Sequence, residues 1–100
     1  MKTTIRKSSY GTWMAETMTP LADNLHICLT TMKRSDGNIT TTAKVGKRDG
    51  IFFVYQPFKD FSQQLISESA RCTKPAVERQ HIAALAMLDS IRPAALAHHN

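Results

Sequence analysis

Between Leu25 and Tyr55 apolar and polar side chains alternate, and two near-repeats interrupt them: Lys33-Arg34-Ser35-Asp36-Gly37 and Lys47-Arg48-Asp49-Gly50. Alternation predicts half-buried strands, and a glycine in third place predicts three-residue hairpin loops, a type I turn closed by a left-handed residue. With Ser35-Asp36-Gly37 and Arg48-Asp49-Gly50 as the loops, Arg34 is expected opposite Asn38 and Lys47 opposite Ile51. That register puts Ile27, Leu29, Thr31, Thr41, Ala43, Val45, Phe53 and Tyr55 on one face, with Ile39 and Ile51 at its ends. A two-residue second loop would set Val45 opposite Val54 and Lys44 among apolar groups, so the burial pattern selects the longer loop.

The opposite face then carries His26, Cys28, Thr30, Met32, Arg34, Thr40, Thr42, Lys44, Phe52 and Val54. Such a mixture reads either as a contact surface or as a face covered by the N-terminal segment.

Upstream, "YGTWMAETMTPL" alternates Trp13, Ala15 and Thr17 with Met14, Glu16 and Met18, and Pro20 with Asp23-Asn24 turns the chain into the next strand. Downstream the period changes. Phe58, Phe61, Leu65, Ile66 and Ala70 fall on helical spacing. "TKPAVERQHIAALAMLDSIRP" predicts a second helix, with Pro75 in its first turn and a stripe of Val77, His81, Ala84, Leu85, Leu88 and Ile91. Ile82, Ala83, Ala86 and Met87 widen the stripe, His81 is expected to be hydrogen-bonded and partly buried, and Arg92-Pro93 is expected to end the helix.

The fold class is α+β. An antiparallel meander of three to four strands, at about 11–19, 25–34, 38–47 and 51–56, is followed by helices at about 58–71 and 75–92 packed on one sheet face. Residues 1–100 form one domain in this reading, with loose ends at 1–9 and 94–100.

Composition narrows the chemistry. A chain of 100 residues, 42% hydrophobic and 21% charged, has room for one core. It contains no apolar run near the roughly 20 residues that cross a bilayer. Its N-terminus has charge but no secretory apolar segment, and a cytoplasmic location is expected. Cys28 and Cys72 are too few for a disulfide framework and are expected as buried or half-buried thiols. His26 and Cys28 could supply two ligands from one strand face, but a structural zinc site needs four, so no metal or cofactor is expected. No spacing brings a histidine base and a cysteine nucleophile together, and the expectation is a protein that is not an enzyme.

The charge is more informative. Of the net +5, the first half of the chain holds nearly all, which favours an acidic or polyanionic partner. The two basic pairs sit at opposite ends of a strand about 30 Å long, so they cannot grip one phosphate and act first as strand-end charges. Lys2, Arg6, Lys7, Lys33, Lys47 and Arg48 nevertheless form the candidate nucleic-acid set, with Tyr10, Trp13 and Phe52 as candidate stacking groups. The meander followed by "RQHIAALAMLDSI" resembles the end of a double-stranded-RNA-binding domain, but the leading helix and basic helix start of that family are missing, and no family is assigned.

The reading the sequence favours is a small binding protein that occludes or bridges a surface of a larger protein or nucleoprotein complex that processes nucleic acid. Phage- or plasmid-encoded inhibitors, anti-CRISPR and anti-restriction proteins among them, have that profile as a class. Met32, Arg34, Thr40, Thr42, Lys44, Phe52 and Val54 are its candidate partner-binding residues. Direct DNA or RNA binding is the alternative, and the broad apolar helix would allow a homodimer.

Overall fold

Gly37 adopts a φ of +87°, a conformation that is cheap only without a Cβ. Around it, Asp36 Oδ1 accepts from the Asn38 amide at 2.8 Å and the Arg34 amide donates to the Asn38 carbonyl at 2.8 Å. This is the predicted three-residue loop, and it sets the centre of the sheet: β3 (Leu25–Lys33) runs antiparallel to β4 (Ile39–Asp49), Lys33 opposite Ile39 and Ile27 opposite Val45.

The structure is a computed structural model that describes residues 2–22, 24–49, 52–55 and 61–99, the side chains of 48, 49, 52–55 and 99 excepted. β1 (Lys2–Lys7) and β2 (Trp13–Ala22) precede β3; β5 (Phe52–Tyr55), β6 (Ser62–Glu68), α1 (Lys74–Leu85) and α2 (Leu88–His99) follow β4. The architecture is α+β, an antiparallel meander in the order β1-β2-β3-β4-β5 with two helices after it, packed on one face. β6 pairs with β4 as well: Gly46–Asp49 pair with β5 and Ile39–Lys44 with β6, so β5 and β6 lie end to end along one edge of β4.

Several expectations need correction. Residues 2–7 are not loose; they form β1, paired with β2 from Lys2–Met18 to Lys7–Trp13. Their alternation lets Ile5 and Thr3 face inward while the backbone satisfies the open edge of β2. The predicted helix at 58–71 is replaced over Ser62–Glu68 by strand β6, and Phe58 lies outside the described residues. A bulge beside Thr41 lets both Leu65 and Ile66 oppose a single residue of β4. Adjacent apolar residues therefore look helical in sequence, although the unpaired edge of β4 draws them into the ladder.

The second hairpin pairs Lys47 with Val54 and Asp49 with Phe52, three positions away from the expected Lys47–Ile51 pairing. An odd shift exchanges the two faces of the strand. It arises because Arg48 and Asp49, expected in the loop, continue β4; Gly50 and Ile51 lie outside the described residues, as do the side chains of Phe53 and Tyr55.

The long helix at 75–92 is two helices. The Met87 amide donates to Ala84 O at 3.0 Å, and Met87 O then accepts from the Ser90 and Ile91 amides at 3.1 and 3.3 Å. Pro93 does not end α2, which continues to His99. The lost N–H is one bond, while Leu88, Ile91 and Ala95 are all buried in the core. At the start of α1, Thr73 Oγ1 accepts from the Ala76 amide at 3.3 Å and Pro75 occupies the first turn, where it removes no helical bond.

The inner face holds two apolar clusters. Ile27, Leu29, Ala43 and Val45 pack against Leu88, Ile91 and Ala95 of α2. Ala15 and Ile39 pack against Ala76 and Val77 of α1. Between them runs a buried polar belt. His81 is 1% exposed, with Nε2 2.7 Å from Thr17 Oγ1 and Nδ1 2.7 Å from Thr31 Oγ1. The belt extends from Thr17 to Thr3 at 2.6 Å and from Thr31 to Thr41 at 2.6 Å. It ends where Thr41 donates to Gln80 Oε1 at 2.9 Å and Gln80 Nε2 donates to Ile39 O at 2.9 Å. Burial holds the His81 pKa below its ordinary value of 6.5, because a charged imidazole loses its hydration there. His81 is thus hydrogen-bonded as expected and more deeply buried, whereas Ile82, expected to widen the stripe, is 61% exposed.

Candidate binding face of the sheet

Both helices occupy the inner face, so the opposite face of the sheet is left without a covering element among the described residues. Strand pairing lines its side chains up in rungs. One rung runs Arg6, Met14, Met32, Thr40, Ser67; the next runs Thr4, Glu16, Thr30, Thr42, Gln64; a third runs Lys2, Met18, Cys28, Lys44, Ser62. β1, expected as a possible cover, is instead the edge of this surface.

The rungs differ in what they offer. Met14, Met18 and Met32 are half-buried, and Arg34 and Lys44 are exposed. Cys28 is buried here and Cys72 half-buried near β2, where its Sγ donates to Trp13 O at 3.5 Å. Thr40 and Thr42 lie on the predicted face but are only 4% and 6% exposed. Their neighbours shelter them: Thr40 bonds Ser67 Oγ at 3.0 Å, and Arg34 Nη2 donates to Thr42 Oγ1 at 3.2 Å. They can shape the surface but add little contact area.

At the middle of the face a hollow of about 230 Å³ is lined by Glu16, Thr30, Met32, Arg34, Thr42 and Lys44. Four of the predicted partner residues meet there: Met32, Arg34, Thr42 and Lys44. Phe52 and Val54, also predicted, have side chains outside the described residues, and their strand register is the reverse of the expected one. Glu16 and Thr30 complete the lining; Glu16 was absent from the expected site.

The predicted basic set does not gather in one place. Lys2 and Arg6 project from β1 on the same face as the hollow. Lys7 turns to the other face, its ammonium 5.4 Å from the Trp13 ring centroid, and Lys74 lies 5.5 Å from the same ring. Lys33 and Lys47 stand at opposite ends of the β3–β4 ladder, on the inner register, about 25 Å apart along the strand. The Arg48 side chain lies outside the described residues. A single phosphate track through all six is therefore not formed by the described residues.

Among the described residues no three His, Cys, Asp or Glu side chains come together to hold a metal ion, and no helix is long and apolar enough to cross a membrane. Compared with known proteins, the chain matches no family model, no curated protein and no solved structure.

Proposed function

We propose that this chain is a non-enzymatic binding protein whose uncovered sheet face docks on a larger nucleic-acid-processing complex and occludes or bridges one of its surfaces, as phage- and plasmid-encoded inhibitors do. One observation carries the reading: both helices pack on one side of the sheet, while the other side presents half-buried Met14, Met18 and Met32 beside exposed Arg34 and Lys44. Methionine and arginine are enriched in protein interfaces, and methionine adapts its shape to the surface it meets. The hollow, at about 230 Å³, falls below the roughly 300–1,000 Å³ of small-molecule clefts. That size suits contact with a protruding side chain better than enclosure of a substrate.

Direct nucleic-acid binding has one observation in its favour. Lys2, Arg6, Arg34 and Lys44 share this face, and such cations can neutralise phosphates. Capture of partners from a bacterial lysate, with and without nuclease, separates the readings. The docking reading expects partners that survive nuclease and are lost with a Met18→Asp/Met32→Asp variant. Loss of every partner on nuclease treatment would put nucleic acid first.

A further inference from the structure

Resting on that docking reading, we infer that the partner presents an acidic protein surface and that one of its carboxylate side chains enters the hollow between Arg34 and Lys44. The lining supplies what a carboxylate needs. Arg34 offers a planar guanidinium fork, Lys44 an ammonium and Thr30 a hydroxyl group around one cavity, with Thr42 beneath Arg34 in its lining. Arg34 is already oriented over it by its 3.2 Å bond to Thr42 Oγ1, so less side-chain entropy is lost on binding. Met32 adds one apolar wall beside the two cations, and charge-assisted bonds of this kind are about twice as strong as neutral ones.

Glu16 decides between protein and nucleic acid. It lies on the same rung as Thr30 and Thr42 and lines the same hollow. A phosphodiester chain carries one sign of charge throughout and meets repulsion from Glu16 wherever it crosses the rung. A protein surface carries both signs, so a carboxylate can sit at Arg34 and Lys44 while a neighbouring lysine or arginine faces Glu16. The mixed lining fits a mixed surface that is acidic on balance, complementary to a chain of net charge +5.

The test uses the full chain and two labelled probes: a short peptide of glutamate and alanine with one lysine, and an oligonucleotide of the same length, single-stranded and duplex. Anisotropy gives relative affinities, and amide chemical shifts locate the contact. The expected result is peptide binding that shifts the amides of the Glu16–Thr30–Thr42 rung. An Arg34→Gln/Lys44→Gln variant should weaken it by about tenfold or more, as for other charge-assisted contacts. Both positions are exposed, so an unchanged melting midpoint confirms that the variant is folded.

Three results overturn the inference. One is an oligonucleotide that binds more tightly than the peptide and gains affinity on Glu16→Gln. Another is peptide binding that is absent or maps away from this rung. The third is peptide binding that survives the double variant; if Met18→Asp/Met32→Asp still abolishes lysate partners, protein docking stands and only the assignment of the hollow falls.

Discussion

His81 and Thr31 share a 2.7 Å hydrogen bond, Nδ1 to Oγ1, whose direction is fixed at the far end of the belt. Gln80 Oε1 can only accept, so Thr41 spends its hydroxyl proton there. Thr31 must then donate to Thr41, which leaves Thr31 only an acceptor for His81 Nδ1–H. In a neutral ring Nε2 accepts, so Thr17 donates to it and Thr3 donates to Thr17. Every hydroxyl in the belt points one way. At neutral pH, long-range proton–nitrogen correlation spectra are expected to show His81 as the Nδ1–H tautomer; a dominant Nε2–H form would refute the ordering.

The same burial makes stability depend on pH. The folded His81 pKa lies below 6.5, so near and below that value the unfolded chain binds a proton that the folded chain refuses. Stability is unaffected by this group above the unfolded pKa. It falls as pH drops through and below about 6.5, with a slope of up to about 1.4 kcal/mol per pH unit until the folded pKa is reached. Urea midpoints from pH 7.5 down to 5.5 should decline, and His81→Gln should flatten the decline. An equally steep curve for the variant would assign the effect to other groups.

Thr31→Val keeps the shape of the side chain but removes the hydroxyl that joins His81 to Thr41. Leaving the His81 N–H without its acceptor should cost about 1–3 kcal/mol. Thr40→Val, on the opposite face with Ser67 as its hydroxyl partner, should cost less than about 1 kcal/mol because an exposed serine can turn to water. Denaturant midpoints at unchanged m-value compare the two, and equal losses would mean that the belt is no more than a set of ordinary side-chain contacts.

Ala95 tests whether the last turns of α2 belong to the core. It is 0% exposed, against Leu88 and Ile91. Ala95→Asp buries a carboxylate without a partner and should lower stability by roughly 3 kcal/mol or more. Ala94→Asp, exposed one residue earlier, should stay within about 0.5 kcal/mol. Thermal melts that leave both variants unchanged would show a detached tail.

Particular residues show why some of the fold was legible in the sequence and some was not. The first hairpin was readable because Asp36-Gly37 specifies a turn locally, and Ile27, Leu29, Ala43 and Val45 then had to share a face. β1 and β6 were not readable, because each is held by the open backbone of a neighbouring strand and not by its own pattern. Glu16 was missed for a sharper reason. Alternation set Met14, Glu16 and Met18 apart from Trp13, Ala15 and Thr17 but gave no pairing to the next strand, and the irregularity between Pro20 and Ala22, which places Glu16 opposite Thr30, has no local signal in the sequence. The belt was half visible, since Thr31, Thr41 and His81 were all expected to point toward the core, but the Gln80 contact depends on how α1 crosses the strands.

The rung arrangement separates two kinds of selection. Positions 15, 17, 27, 29, 31, 41, 43 and 45 hold the chain together, and exchanging any of them risks collapse. Their neighbours at 16, 32, 34 and 44 line the hollow on the other face, so changes there bear first on what the molecule touches and less on the core. Under the docking proposal, a partner that changed its surface could be followed one side chain at a time, with the architecture kept while the preference drifts.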